Sequence, residues 1–283
     1  MSLLLDEIEY LLTSVTDMKT QTSIMRTVTV NMLDNIDHPH NAQVCFRASS
    51  IGKPWIIQVL GRWFPHESSF TVGTCMKMLD GIEAQAWAEE IIRMGGYSFE
   101  SEKTLELVVG ETKVMGHSDI VVTNHATREI LVIECKSMAA HIITKFFNEP
   151  HDDHGYMSQL AFYTEMIKRA NPTYTVTATF LLHDRSAGKF KMCPIVQQAL
   201  DKKFQRVEQA LSAVAAIPMF DLDALLDTVK APPPMDGVPP SMRYSIWAKA
   251  FYQVNGKETV VLPREVCKKL ILNISQGMLG GGM

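Results

Sequence analysis

The chain has 283 residues, of which 46% are hydrophobic and 20% charged, and its formal net charge is −4. This composition is typical of one large globular domain, with or without an appendage, and it excludes disordered and fibrous proteins. Five cysteines without a CxxC pair argue against a disulfide framework and against a zinc ribbon, and the net charge provides no global basic field.

The first predicted elements along the chain are helices. Apolar residues recur at helical spacing over Leu3 to Met18, Ser49 to Leu60 and Thr71 to Met94. Ser49 or Ser50 would cap the second helix, and Gly95 would end the third. The acidic opening stretch is unlike a signal peptide, and no run reaches the roughly 20 apolar residues of a membrane span. We therefore expect a soluble, cytoplasmic protein.

The centre of the chain alternates between strand and helix patterns. Strand patterns cover Thr104 to Val109, both arms of a hairpin from Gly116 to Ser137, Thr173 to His183, and the short run GKFKMCP. Helical patterns cover Gly155 to Ala170 and Ile195 to Ala216, and the intervening NEPHDDHG is best interpreted as a solvated loop. This order predicts a mixed α/β fold with a central sheet flanked by helices.

The composition changes after Lys230. The run APPPMDGVPP predicts a stiff linker, and an appendage follows with a hairpin that turns at Asn255-Gly256 and a loose Gly-rich tail. We therefore divide the chain into an N-terminal helical segment (1–70), a core (71–230), and the linker with its appendage (231–283).

The central hairpin, GHSDIVVTNHATREILVIECKS, carries charges on strands that are otherwise apolar. If its turn is centred on Ala126 and Thr127, Asp119 lies directly opposite Glu134, with Cβ atoms about 4.5–5.5 Å apart. Lys136 shares the face of Glu134 because side chains alternate with period two. Two carboxylates this close are costly unless a positive charge lies between them, and hard oxygen ligands favour Mg²⁺ or Mn²⁺. The pattern predicts a metal site with a lysine beside it.

A simpler interpretation makes these residues polar strand ends in a solvated ion pair. A D…ExK pattern alone favours that interpretation, because such short patterns recur by chance. The context favours the metal site: a glycine opens GHSD, the run VIECK is apolar up to its acid, and the next helix bears Gln159 and Tyr163.

Taken together, GHSD, ECK and YMSQLAFY resemble the GxxD, ExK and QxxxY motifs of RecB-like nucleases. These nucleases are a branch of the PD-(D/E)xK superfamily that includes phage lambda-type exonucleases and CRISPR-associated RecB-like exonucleases. RASSIGKPWIIQVLG is similar to the SSIG segment of phage-borne members, so the likeness spans roughly Arg47 to Ala170. The resemblance implies a restriction-endonuclease-like PD-(D/E)xK core.

The resemblance also implies a metal ligand set. Asp119, Glu134 and the carbonyl of Cys135 would bind Mg²⁺, or Mn²⁺ in its place, together with an acid from the long helix. Glu83 and Glu90 share one face of that helix, whereas Glu89 is expected on a solvated face. Glu83 has the family's spacing to Gly95, although the family's glycine four residues before the ligand is Leu79 here. We expect Glu83 to be the ligand, with Glu90 as the alternative.

The helix after the hairpin bears Tyr156, Gln159 and Tyr163 at positions i, i+3 and i+7, on one face. An amide and a phenol there can bind a phosphate or orient Lys136, whereas a structural role needs only packing. The resemblance favours a catalytic role for Gln159 and Tyr163 and leaves Tyr156 undecided.

Many RecB-like relatives hold an iron–sulfur cluster, with one cysteine near the SSIG segment and three after a proline-rich stretch. Here Lys53-Pro54 occupies the first place, and PPSMRYSIWAKAFY, at the second, contains no cysteine. We expect no cluster, and we expect packing of Tyr244, Trp247 and Phe251 to hold the appendage.

The implied function is that of a metal-dependent DNA exonuclease in phage or bacterial recombination, repair or replication, inside a bacterial host cell. Lys136 would orient or deprotonate the attacking water. The expected partner is DNA, as linear duplex or single strand, and analogy adds a single-strand annealing protein and further copies of the chain. Two alternatives stay open: a structure- or sequence-specific DNA endonuclease, and a non-catalytic DNA-binding or assembly module.

Overall fold

The computed structural model describes residues 2–14, 46–64, 72–110, 112–148, 155–229, 245–255 and 258–280. The proline-rich linker, residues 149–154 of the NEPHDDHG stretch and Tyr244 lie outside these ranges.

Helices and strands alternate through the described core. The helices are α1 (Leu3–Ser14), α2 (Trp55–Trp63), α3 (Val72–Met94), α4 (Ala140–Asn148), α5 (Tyr156–Ala170), α6 (Gln197–Ala215), α7 (Leu222–Thr228), α8 (Ala248–Phe251) and α9 (Arg264–Gly280). The strands are β1 (Phe46–Arg47), β2 (Ser98–Val109), β3 (Thr112–Asn124), β4 (Glu129–Met138), β5 (Thr175–Asp184), β6 (Lys189–Pro194), β7 (Tyr252–Asn255) and β8 (Glu258–Val261). A 3₁₀ turn, Ala48–Ser50, follows β1.

The first six strands form one mixed sheet in the order β1, β3, β4, β5, β6, with β2 paired to β3. Strand β3 is antiparallel to β2 along its whole length. On its other side β3 pairs in parallel with β1 at Val114 and Met115, and then antiparallel with β4 from Ile120 onward. Residues 116–119 therefore lie where β3 passes from one neighbour to the next. Strand β4 is parallel to β5, and β5 is antiparallel to β6.

Helices cover both faces of this sheet. Strand β4 is central, and its residues 130–133 are all buried, as expected of a strand packed on both sides. On one face Leu131 and Ile133 pack with apolar residues of α1 and α3. On the other face Val132 packs with residues of α5 and α6. The predicted mixed α/β fold, with a central sheet flanked by helices, is confirmed.

Both ends of the described chain contribute to these cores. Leu4 and Ile8 of α1 are fully buried against the face that α3 also covers. Trp247 and Phe251, as predicted, are buried, and they belong to the cluster on the opposite face. Strands β7 and β8 pair as a C-terminal hairpin, as predicted, but Asn255 pairs with Glu258 instead of lying in the turn, and Ala248–Phe251 form α8. Within the described ranges, no helix has both the length and the apolar character needed to cross a membrane.

The helix predicted over Ser49 to Leu60 is wrong in its start and its cap. The chain forms the 3₁₀ turn first, and α2 begins at Trp55 with Pro54 at the N-cap position and no side-chain cap. Proline disfavours helical backbone at the residue before it, yet it fits well at a helix start, so the helix begins after Lys53. Helices α4, α7 and α9 were not anticipated from the sequence pattern.

Candidate active site

The central hairpin has the predicted register. Strand β3 pairs with β4 from Asn124 opposite Glu129 to Ile120 opposite Ile133. The side-chain Oδ1 of Asn124 accepts hydrogen bonds from the main-chain N–H groups of Ala126 and Thr127, at 3.0 and 3.2 Å, which fixes the turn. The next opposed positions beyond this ladder are Asp119 and Glu134.

Beyond the Ile120–Ile133 pair, a hydrogen bond to a side chain takes the place of the main-chain hydrogen bonds between β3 and β4. The N–H of Cys135 donates to Oδ2 of Asp119 at 2.6 Å, so the carboxylate takes the place of a backbone acceptor. By the period of two, Asp119 and Glu134 lie on the face of Val121 and Val132, which α5 covers. The Cys135 side chain packs on the opposite face.

Glu134 is buried and only partly satisfied. Its side chain is 1% exposed, and Oε1 accepts a hydrogen bond from Nζ of Lys136 at 2.5 Å. Its other oxygen, Oε2, is buried without a hydrogen-bond partner. A buried carboxylate oxygen left in this way costs free energy, on the order of 1–3 kcal/mol or more for a charged group. The Lys136 ammonium also lies over the Tyr156 ring, 5.0 Å from its centroid.

The charges of this group are not balanced. Burial raises the pKa of Asp119 well above its ordinary value and Glu134 adds to the rise, while Lys136 and the Cys135 N–H oppose it. Burial also raises the pKa of Glu134, against the opposing effect of Lys136. Burial alone would lower the pKa of Lys136, but Glu134 and Asp119 outweigh it and the pKa is raised. The site therefore holds a protonated lysine and more acidic groups than that lysine can neutralise.

Gln159 and Tyr163 lie behind the acidic pair. Both are buried, and the Gln159 amide Nε2 donates to the Tyr163 hydroxyl at 3.2 Å. A Cβ on Gly116 would lie 2.8 Å from that hydroxyl and 2.3 Å from Cβ of Ala48, so this position has room only for glycine. Burial raises the pKa of Tyr163, and the nearby Glu134 raises it further. The two side chains thus support the site from the core side.

The expected acids of α3 do not join the pair. Glu83 is exposed, and it affects the pKa of His183, which stacks near Phe190 on the face opposite to the acidic pair. Glu90 forms an ion pair with Arg93. The α3 residue that reaches the pair is Gln85, whose Nε2 lies 3.4 Å from the main-chain carbonyl of Asp119. The ligand role assigned to Glu83 has no support in this geometry.

The sequence pattern also missed Glu102 of β2. Pairs Ser101–Ile120 and Lys103–Ser118 flank it in one continuous register, so Glu102 lies opposite Asp119. The signal was present: the strand pattern begins at Thr104, and extending it backwards by two residues would have placed this acid across from Asp119.

Asp119 and Glu134 fit a hard divalent cation. Both offer carboxylate oxygens, and the buried Oε2 of Glu134 has a lone pair available. In the described residues, however, no group of three or more His, Cys, Asp or Glu side chains converges as a ready cluster of ligands. A cation with few protein ligands and several waters, as Mg²⁺ prefers, suits such an arrangement.

No family model and no curated protein sequence matches the chain. Solved structures with partial similarity include SSO0001, at 11% sequence identity and a TM-score of 0.38, over 65% of this chain and 84% of that chain. Another is a proposed exonuclease from Eubacterium rectale, at 14% identity and a TM-score of 0.31, over 54% of this chain and 63% of that one. Similarity at this level carries no argument about function, which must come from the residues of the site.

Proposed function

We propose that this protein is a divalent-metal-dependent deoxyribonuclease, and specifically an exonuclease that hydrolyses phosphodiester bonds of linear DNA. The observation that supports this most strongly is the Asp119–Glu134 pair, in which Asp119 is partly buried and Glu134 is fully buried, with one lysine beside it and a Glu134 oxygen without a partner. A purely structural ion pair would not bury a second carboxylate beside the first, because the extra charge is costly.

Asp119 and Glu134 would hold Mg²⁺, with Mn²⁺ as a substitute, and the Cys135 carbonyl is a further ligand that the family resemblance implies. When bound, the cation supplies Lewis acidity, which lowers the pKa of a coordinated water and offsets charge on the scissile phosphate. The Cys135 N–H holds Asp119 in place, because it donates to Oδ2 of that carboxylate.

Lys136 would orient the attacking water and stabilise charge on the phosphate. In the metal-free protein burial alone would lower its pKa, but the Glu134 and Asp119 carboxylates outweigh burial and the pKa is raised. A protonated ammonium can donate hydrogen bonds to the attacking water and to a phosphate oxygen that gains charge in the transition state. Gln159 and Tyr163, buried and bonded to each other, would keep the start of α5 and Gly116 in register.

The biological setting follows from the resemblance of GHSD, ECK and YMSQLAFY to RecB-like nucleases. The substrate would be linear duplex or single-stranded DNA in a bacterial host cell, during phage or bacterial recombination, repair or replication. A single-strand annealing protein and further copies of the chain are the partners that this role would involve.

The test is to incubate the purified protein with end-labelled linear duplex and with covalently closed circular DNA, in Mg²⁺, in Mn²⁺ and in EDTA. We expect cation-dependent loss of linear DNA only. Glu134→Gln and Lys136→Gln should lower the rate by about 10²–10³-fold, a typical cost for a group that stabilises transition-state charge.

Glu129→Gln is the matched control, because Glu129 lies at the other end of β4 and its carboxylate bonds to Ser2 and Thr127. That variant should cut DNA at the wild-type rate. Cleavage that persists in Glu134→Gln would contradict the role proposed for the acidic pair, and cleavage of the circle would identify an endonuclease. Tight DNA binding without cleavage in either cation would identify a binding module.

A further inference from the structure

Glu102 lies in β2, opposite Asp119 of the neighbouring strand β3. The ladder continues without a shift on both sides of it, but Glu102 itself has a left-handed backbone, with φ of +49°. Such a φ is uncommon for residues other than glycine, asparagine and aspartate. Glu102 therefore has an unfavourable backbone conformation at this position.

The Glu102 carboxylate is linked to the site by a shared donor. Nε2 of Gln85 lies 3.0 Å from Oε1 of Glu102 and 3.4 Å from the carbonyl of Asp119. Oε2 of Glu102 is 3.8 Å from Nδ1 of His117, and about half of the side chain, 52%, is exposed. Glu102 thus occupies the solvent side of the pair, whereas Gln159 and Tyr163 occupy the core side.

Glu102 adds to an unbalanced negative charge. In the register of β2 and β3 Glu102 lies opposite Asp119, so its carboxylate brings a further negative charge to the neighbourhood of the pair. Lys136 bonds to Oε1 of Glu134, and Oε2 of Glu134 remains buried without a partner. A cation at this place would satisfy the free oxygen and the excess charge together.

The three carboxylates do not converge as direct ligands. Oδ2 of Asp119 is held by the Cys135 N–H, Oε1 of Glu134 by Lys136, and Oε1 of Glu102 by Gln85. Mg²⁺ usually keeps several waters and binds to one or two carboxylates. A third carboxylate near such an ion accepts hydrogen bonds from its waters, and partners of this kind are worth 10–100-fold in metal affinity.

We propose that Glu102 is an outer-sphere ligand of the site, whose carboxylate holds the water shell of a divalent cation bound by Asp119 and Glu134. The inference rests on the metal site of the proposed function. Glu89 is a weaker candidate, because its carboxylate is already held by Ser101 and Gln85. Glu83 lies on the other face of the sheet.

The test measures metal binding rather than cleavage. The full chain, freed of metal by chelation, is titrated with Mn²⁺, and free Mn²⁺ is followed by electron paramagnetic resonance. Glu102→Gln should weaken Mn²⁺ binding by about tenfold or more. Glu106→Gln is the control, since Glu106 lies in the same strand, is similarly exposed at 43%, and pairs with Lys113. Its affinity should stay within about twofold of wild type.

Glu102→Asn is a second variant for the same measurement, to be used if Glu102→Gln folds poorly. Asparagine adopts left-handed backbone more readily than glutamate, so this variant should be at least as stable as the wild type while losing the same metal affinity. If both variants bind Mn²⁺ as the wild type does, Glu102 has no such role, even if the wild type cuts DNA.

The outcomes separate this inference from the proposed function. Wild-type Mn²⁺ binding that Glu102→Gln weakens, without cleavage of any DNA, would support the inference and overturn the nuclease. Failure of the wild type to bind Mn²⁺ would overturn the outer-sphere role outright, and the cleavage assay in EDTA would then decide whether a metal-independent nuclease survives.

Discussion

Lys136 is the residue on which the site's chemistry depends most, and three neighbours determine its state. Its side chain is only 18% exposed, Glu134 accepts its hydrogen bond, and the Tyr156 ring lies under its ammonium. The carboxylates keep it charged although burial opposes charge. The aromatic face adds a favourable contact without a further negative charge, so we expect Tyr156 to act as a positioning residue.

Replacing the Tyr156 ring should therefore impair Lys136. A cation–π contact is worth roughly 0.5–2 kcal/mol, so Tyr156→Leu should lower kcat/KM for cation-dependent cleavage by up to about tenfold. Tyr156→Phe keeps the ring and should cut DNA within about twofold of wild type. Rates measured across pH, with Mn²⁺ affinity as a second readout, test this. Equal losses in both variants would assign the effect to the hydroxyl group instead.

At the residue scale, the sequence predicts the geometry correctly where it depends only on the alternation of side chains along a strand. Asp119, Glu134 and Lys136 share a face because side chains alternate and the turn at Ala126 fixes the register. The contribution of α3 could not be read in this way. Glu83 and Gln85 lie on different sides of α3. Which of them approaches Asp119 depends on the rotation of the helix about its axis, and only packing against the sheet sets that rotation.

At the scale of elements, α5 is attached to the turn before α2 by a contact between two glycines. A Cβ on Gly52 would lie 2.2 Å from Cα of Gly155, and Gly155 has φ of +82° at the N-cap of α5. The backbones thus touch directly where the helix bearing Tyr156, Gln159 and Tyr163 begins. No periodicity in the sequence indicates that contact, because it joins segments about a hundred residues apart.

Gly52→Ala should therefore destabilise the fold. The new methyl group meets main-chain atoms that cannot rotate away, and overpacking of this kind costs about 1–3 kcal/mol. Gly61→Ala is the matched control, since Gly61 lies inside α2 with nothing within 4 Å of its added Cβ. There alanine should stabilise the protein by up to about 1 kcal/mol, because it favours helix. Urea denaturation of both variants checks the opposite signs, and a shift of both in the same direction would contradict the contact.

At the scale of the whole molecule, we expect the site to lower the stability of the fold that holds it. Most of the sheet is buried between apolar helix faces, yet two carboxylates with raised pKa values lie at the end of the central hairpin. A carboxyl group whose pKa is higher in the folded than in the unfolded protein makes the fold less stable as pH rises above the unfolded pKa. Such a cost is expected of a functional site rather than of a structural ion pair.

The substitution Asp119→Asn tests whether the acidic pair lowers the stability of the fold. Asparagine can still accept the Cys135 N–H, but it removes the buried like charge, so it should raise stability in metal-free buffer at neutral pH. The gain should be on the order of 1 kcal/mol, or about 2 °C in Tm. The pKa of Asp119 is raised in the folded protein, so the wild type loses stability as pH rises above about 3.9, the pKa of an unfolded aspartate. Below that pH the stability gain of Asp119→Asn over the wild type should vanish.

Asp227→Asn is the control for a surface acid, since Asp227 pairs with Arg264 at 3.0 Å and is 69% exposed. Exposed pairs contribute about 0–1 kcal/mol, so this variant should leave Tm unchanged or slightly lower. Mg²⁺ should then raise the Tm of the wild type but not that of Asp119→Asn, because a ligand stabilises only the protein that binds it. Thermal scans with and without Mg²⁺ measure all three effects. A Tm that falls in metal-free Asp119→Asn at neutral pH would show that the acidic pair stabilises the fold, and the argument for a cation there would lose its energetic basis.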